Sequence, residues 1–105
     1  MTVSAVNTFR LRAGVTAEQF ERFSADLDRP TCLAFDVVLG FEVYLVEGEG
    51  TDVVEIMTVS SWPEWERIRD AAPELKPVVE RFDELVEPGS VTTLMTRKSP
   101  LSQEI

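Results

Sequence analysis

Two polar side chains stand in rows that are otherwise apolar. From Val3 to Arg12, the residues Val3, Ala5, Phe9 and Leu11 share one parity, and Asn7 falls on the same side. From Asp52 to Ser60, Val53, Met57 and Val59 share a parity with Glu55. Alternate residues of a strand face the same way, so both polar groups are expected beneath whatever covers that face. A carboxyl group in apolar surroundings holds its proton to a higher pH than in water, unless a cation such as Arg10, Arg67 or Lys76 reaches it. Glu55 could then act as a general acid or base near neutral pH, with Asn7 orienting a carbonyl or hydroxyl. The competing expectation is structural: Glu55 solvated at a rim or strand end, and Asn7 bonded to a loop backbone.

Other residues offer less specific chemistry. Tyr44 could donate a hydrogen bond or a proton to a ligand, or fill an interface between subunits. Trp62 and Trp65 could wall a site for an aromatic ligand, although one of them also serves as ordinary cover. Phe9, on the inward row two places from Asn7, joins them as a candidate substrate contact. Cys32 is the only cysteine, which leaves a nucleophile or a buried inert thiol as its roles. Met57 and Met95 read as core fillers. The chain has no histidine, which excludes a Ser-His-Asp triad and removes the commonest nitrogen ligand for zinc. No metal site is expected.

The elements that must hold these groups follow from local signals. Val3 to Arg12 predicts a strand, and Gly14 a turn. Thr16 and Gln19 have the spacing of a capping box, ahead of Phe20, Phe23 and Leu27 on one helical face. The first helix is expected from about Ala17 to Asp28, ended by Pro30, with Thr31 and Cys32 in the following connection. Phe35 to Glu47 reads as a second strand with a bulge or bend at Gly40. Gly48-Glu49-Gly50 turns into a third strand from Asp52 to Ser60. Ser61 and Glu64 repeat the capping-box spacing, with Pro63 in the first turn of the second helix. Pro73 predicts a break after Ala72. A longer segment to about Val86 then carries Leu75, Val78, Val79, Phe82, Leu85 and Val86 at the helical period. Pro88-Gly89 stops it, and Val91 to Arg97 gives a fourth strand.

Strand, helix, strand, strand, helix, strand is the order of a ferredoxin-like α+β fold, a four-stranded antiparallel sheet with helices on one face. In that arrangement the first and third strands are neighbours, so Asn7 and Glu55 could share one space. The 105 residues fit one domain over 1–97, followed by a polar tail over 98–105. Helices on one face leave the other bare, and its even-numbered residues include Val6, Val38, Tyr44, Val46, Val54, Ile56 and Leu94. The expectation is a homodimer formed through that sheet face, with the parity around Gly40 left open.

Composition narrows the partners. A formal charge of −9 without any Lys/Arg cluster argues against nucleic acid and anionic lipid surfaces. No apolar run approaches the roughly 20 residues of a membrane span, and the first residues lack the pattern of an export signal. The lone cysteine fits a reducing cytoplasm.

The segment Asp28-Arg29-Pro30-Thr31, followed by Phe41-Glu42-Val43-Tyr44 and Val54-Glu55-Ile56, resembles the RedY-like proteins of prodiginine and bisindole pathways, within the dimeric α+β barrel superfamily. The Leu11 to Val15 turn and the order of elements extend the superfamily likeness over nearly the whole chain. The resemblance implies a bacterial secondary-metabolism protein that handles a flat aromatic substrate between sheet and helices, without metal or organic cofactor. It would give Asn7, Glu55, Thr31 and the tryptophans a shared purpose, an apolar slot with few polar groups. The expected activity is cyclisation or rearrangement of an aromatic intermediate, with Glu55 moving a proton and Asn7 and Thr31 positioning polar atoms. A cofactor-free monooxygenase and a non-catalytic binding module are the alternatives. A relative that relies on imidazole chemistry would leave this chain dependent on Glu55, or inactive.

Overall fold

Residues 2–103 are described by a computed structural model. Strand β1 (Val3–Phe9) leads through the Gly14 turn to helix α1 (Ala17–Phe23), whose start is fixed by the expected capping box between Thr16 and Gln19. The helical path then widens through a π turn at Ser24–Asp28 and continues as α2 (Arg29–Leu33). Pro30 therefore does not end the helix, and Thr31 and Cys32 are helical. The wider turn accommodates the proline: Arg29 N–H reaches back five residues to Ser24 O, and Pro30 sits in the first turn of α2.

Strands β2 (Val38–Leu45) and β3 (Val53–Val59) form the expected hairpin, and β3 leads into α3 (Trp62–Ala71). Ser61 caps α3 by accepting from Glu64 N–H. At Pro73 the chain breaks into a short 3₁₀ turn (Pro73–Leu75) before α4 (Lys76–Leu85), then closes with β4 (Thr92–Thr96). A second 3₁₀ turn lies at Pro100–Gln103; the last two residues of the expected tail, 104 and 105, lie outside the described residues.

All neighbouring strands are antiparallel, in the order β2-β3-β1-β4, with the helices on one face. This is the ferredoxin-like fold. Between sheet and helices lies a core centred on Phe9, Phe20, Val53 and Val59, each no more than 1% exposed. The Phe9 ring meets Phe20 and Phe82 edge to face, at centroid distances of 5.4 and 5.2 Å.

Three expected orientations are corrected. Leu39 is an extra residue between Val38 and Gly40 in the pairing with β3, so the bulge reverses parity and Val38 is buried rather than on the outer face. Leu45 and Met95, expected in the core, are 37% and 48% exposed. Leu45 ends its strand beside the hairpin, and β4 is an edge strand exposed along its length. On the face away from the helices, Val6, Val54 and Ile56 are half-buried beside exposed Leu94 and Tyr44, the apolar surface anticipated from the even-numbered set.

Candidate functional site

The sheet register sets four side chains in one line. Val43 pairs with Glu55, Glu55 with Asn7, and Asn7 with Thr93, so the row crosses β2, β3, β1 and β4 beneath the helices. The Thr93 hydroxyl donates to Asn7 Oδ1 at 2.6 Å. With its carbonyl engaged, Asn7 offers its amide NH₂ to a ligand. Glu55 is 5% exposed, and its Oε2 is buried without a hydrogen-bond partner among the described residues.

Opposite the sheet, the π turn decides which helical residues face Glu55. In an unbroken α-helix the inward face carrying Phe20, Phe23 and Leu27 would continue to Thr31. One added residue in the turn rotates the rest of the helix, bringing Asp28 and Cys32 inward instead. Both are buried, and the Cys32 thiol donates to Asp28 Oδ1 at 3.5 Å. Arg29 Nε donates to Ser24 Oγ at 3.0 Å, which holds the guanidinium beside the same turn.

Between sheet and helices lies a cavity of about 240 Å³ that opens to one side. Asn7, Glu55 and Thr93 meet it from the sheet, Asp28 and Cys32 from the π turn and α2, and Trp62 and Trp65 from α3. Leu75, Val78, Val79 and Phe82 supply an apolar side, and Arg69 stands at the rim in ion pairs with Asp70 and Glu66 at 3.4 and 3.8 Å. Apolar walls around a few polar groups are the usual form of a small-molecule site.

Burial first, and the Asp28 charge second, push the Glu55 carboxyl up to about 8 against the opposing effect of Arg29. Asp28 is likewise pushed up to about 6 by burial, with the Cys32 thiol and Arg29 working the other way. The Cys32 thiol is raised by burial first, then by Asp28, which fits the inert reading. At neutral pH Glu55 is thus mainly protonated and Asp28 mainly ionised.

These shifts have a thermodynamic consequence. Both carboxyls bind protons more tightly folded than at their ordinary values of 3.8 and 4.5, so their favourable contribution is complete below those values and is lost as pH rises through about 6 and about 8. The melting temperature is expected to fall by several degrees between about pH 5 and about pH 9, and Glu55→Gln is expected to remove most of the loss above neutrality. Scanning calorimetry of both proteins across that range checks this; parallel curves would contradict the proposed burial of Glu55.

Four of the residues expected from the sequence, Asn7, Glu55, Trp62 and Trp65, meet in the cavity. Thr31 does not line it, because the π turn gives that place to Asp28 and Cys32. Tyr44 lies on the opposite face of the sheet, 49% exposed, and donates to a Glu42 carboxylate oxygen at 3.0 Å. Phe9 packs behind the cavity against Phe82 rather than lining it. The cation acting on Glu55 is Arg29, whereas Arg10 pairs with Glu87 and Arg67 with Glu64. Sequence reasoning about the site passed over Asp28, Arg69 and Thr93. Asp28 had one readable signal, its four-residue spacing from both Ser24 and Cys32.

Among the described residues no three His, Cys, Asp or Glu side chains stand together as a metal site, and no helix is long and apolar enough to cross a membrane.

Fold and cavity define a ferredoxin-like α+β module built to bind, or to act on, a small molecule. The chain belongs to the family of REDY-like protein HapK, whose model matches residues 3–98. Its fold is similar to that of HapK from Hahella chejuensis, at 18% identity over 93% of each chain and a TM-score of 0.79. It is also similar to SnoaB, a cofactor-independent oxygenase from Streptomyces nogalater, at 15% identity over 94% of this chain and 96% of that one, with a TM-score of 0.76. A dimeric ferredoxin-like protein of unknown function from Bacteroides fragilis matches at 16% identity, over 92% and 96% of the two chains, with a TM-score of 0.69. At such identities these likenesses are of fold. No curated protein matches the chain.

Proposed function

We propose that this protein is a cofactor-independent enzyme of bacterial natural-product biosynthesis, of the bisindole or prodiginine type, which steers the cyclisation or rearrangement of a flat aromatic intermediate by proton transfer. The observation that carries the reading is Glu55: a buried carboxyl with an unpartnered oxygen, facing an apolar cavity beside Asn7. A protonated carboxylic acid in a dry site can protonate a ring carbon or nitrogen that water would protonate without selectivity. The Asn7 amide holds a carbonyl or other acceptor of the substrate, and Trp62 and Trp65 give the ring an apolar wall. Family membership supports the biosynthetic setting, and a cytoplasmic location accompanies it.

The likeness to SnoaB favours a second reading, a cofactor-free monooxygenase in which the cavity desolvates a substrate carbanion that reacts with oxygen. Incubation with a bisindole, following product mass and dissolved oxygen together, separates the two. An isomer of unchanged mass without oxygen uptake supports the first reading, and a product heavier by oxygen with matching uptake supports the second. Substrate bound but returned intact would overturn both in favour of a binding module.

The working unit in this proposal is a homodimer joined through the outer sheet face. Leu94 is 61% exposed there, beside half-buried Val6, Val54 and Ile56. Leu94→Glu is expected to turn a dimer into a monomer in light scattering after size exclusion, because it sets a charge within an apolar contact. An unchanged dimer would place the interface elsewhere.

A further inference from the structure

The second buried acid, Asp28, stands across the cavity from Glu55 and has no part in the function proposed above. Two carboxyls facing one apolar space are not equivalent here. Asp28 has partners that favour its ionised form, since the Cys32 thiol donates to its Oδ1 and the Arg29 guanidinium acts on it. Glu55 has an Oε2 with no partner among the described residues, and only 5% of its surface reaches solvent. The charged and titratable groups facing the pair are Arg29 and Cys32 from α2 and Arg69 from the rim on α3.

We propose that Asp28 and Glu55 work as one acid–base pair on a flat aromatic bearing an N–H or O–H, Asp28 taking that proton while Glu55 delivers another to a second atom of the same molecule. This deepens the reading of Glu55 as the proton donor and rests on it. In the step, the substrate N–H bond breaks and its proton passes to the Asp28 carboxylate, while its electron pair stays on the ring. A ring π pair forms a new C–H bond with the proton of Glu55, whose O–H electrons remain on the carboxylate. The substrate leaves as a tautomer of the same mass and charge. Asp28 then holds the proton that Glu55 lost, and one transfer through the cavity restores the starting state. Environments that push two carboxyls apart, up to about 6 for Asp28 and about 8 for Glu55, are what such a division of labour requires.

The substrate class comes from the same geometry. Asp28 needs a donor, the Asn7 amide needs an acceptor, and an ionised substrate carboxylate would meet Asp28 at close range. The pair therefore suits a neutral N–H heteroaromatic at the reacting ring, with any acidic substituent left near Arg69 at the rim.

Indole in deuterium oxide tests the pair, because exchange of its C3 hydrogen can proceed by removal of the N–H proton with addition at C3. The wild-type protein is expected to accelerate this exchange on the order of 100-fold over buffer near neutrality, followed by proton NMR. Asp28→Asn and Glu55→Gln should each return it to within a few-fold of buffer. Full exchange in Asp28→Asn with loss in Glu55→Gln would overturn the pair and leave the Glu55 reading standing. Indole that shifts the Trp62 and Trp65 ring signals but gains no exchange overturns the pair as well, and failure to bind indole overturns both readings. A carboxyl ¹³C titration of the wild-type protein guards against misfolded variants. It should show one proton held jointly by the two groups across neutral pH, and loss of both protons below about pH 5 would overturn the proposal.

Discussion

Glu55→Gln is expected to lower turnover on the order of 100- to 10,000-fold, with ligand affinity and fold retained. Gln matches Glu in shape and presents a polar amide in place of the carboxyl, so contacts with a bound ring survive; what disappears is a proton that can be given up. The structure should not suffer, because Glu55 Oε2 satisfies no partner that the substitution would abandon. A neutral amide also avoids ionisation of a buried group above about pH 8, so the variant is expected to be at least as stable as the parent there. A fall in kcat at nearly constant KM is the signature of an interaction used in the transition state. Unchanged kcat would remove Glu55 from the chemistry, and a raised KM alone would make it a binding group.

The second large effect is on stability. Phe9→Ala is expected to cost about 3–5 kcal/mol, since it deletes a ring that is 1% exposed and meets both Phe20 and Phe82 edge to face. In a domain of this size that corresponds to a fall in melting temperature of more than about 10 °C. Phe9→Leu, which refills much of the space, should lose far less and remain folded. Its ligand affinity should stay close to that of the parent, because Phe82 and not Phe9 presents a surface to the cavity. Phe9→Leu with normal stability and tenfold weaker binding would restore Phe9 as a substrate contact.

The meeting of Asn7 and Glu55 was legible in the sequence because it needs only a period of two and the order of strands. Each lies on the parity of its apolar neighbours, and the fold makes β1 and β3 adjacent. The capping at Thr16 and Ser61 and the break at Pro73 were legible for a related reason, being written within four residues. Asp28 was hidden by a single inserted residue. The sequence around Ser24 gives no sign of an i to i+5 turn, and without it Pro30 reads as a stop and Thr31 and Cys32 as part of the connection beyond it.

Leu39 hides the orientation of Val38 in the same manner, since one bulged residue reverses every side chain before it. Met95 and Leu45 failed for another reason: their parity is right, but how far helices extend over an edge strand or a hairpin end is a tertiary fact. Local period thus located Asn7 and Glu55 in the sheet, and one irregular turn concealed the place of Asp28 on the helical side.

A crystal structure of the protein soaked with indole tests the central claim most directly. The account predicts ring density inside the cavity against Trp62 and Trp65, with ring atoms within hydrogen-bonding reach of Glu55 and Asn7. A ring bound only on the outer sheet face, or a cavity closed by its own side chains with no ligand in it, would contradict it.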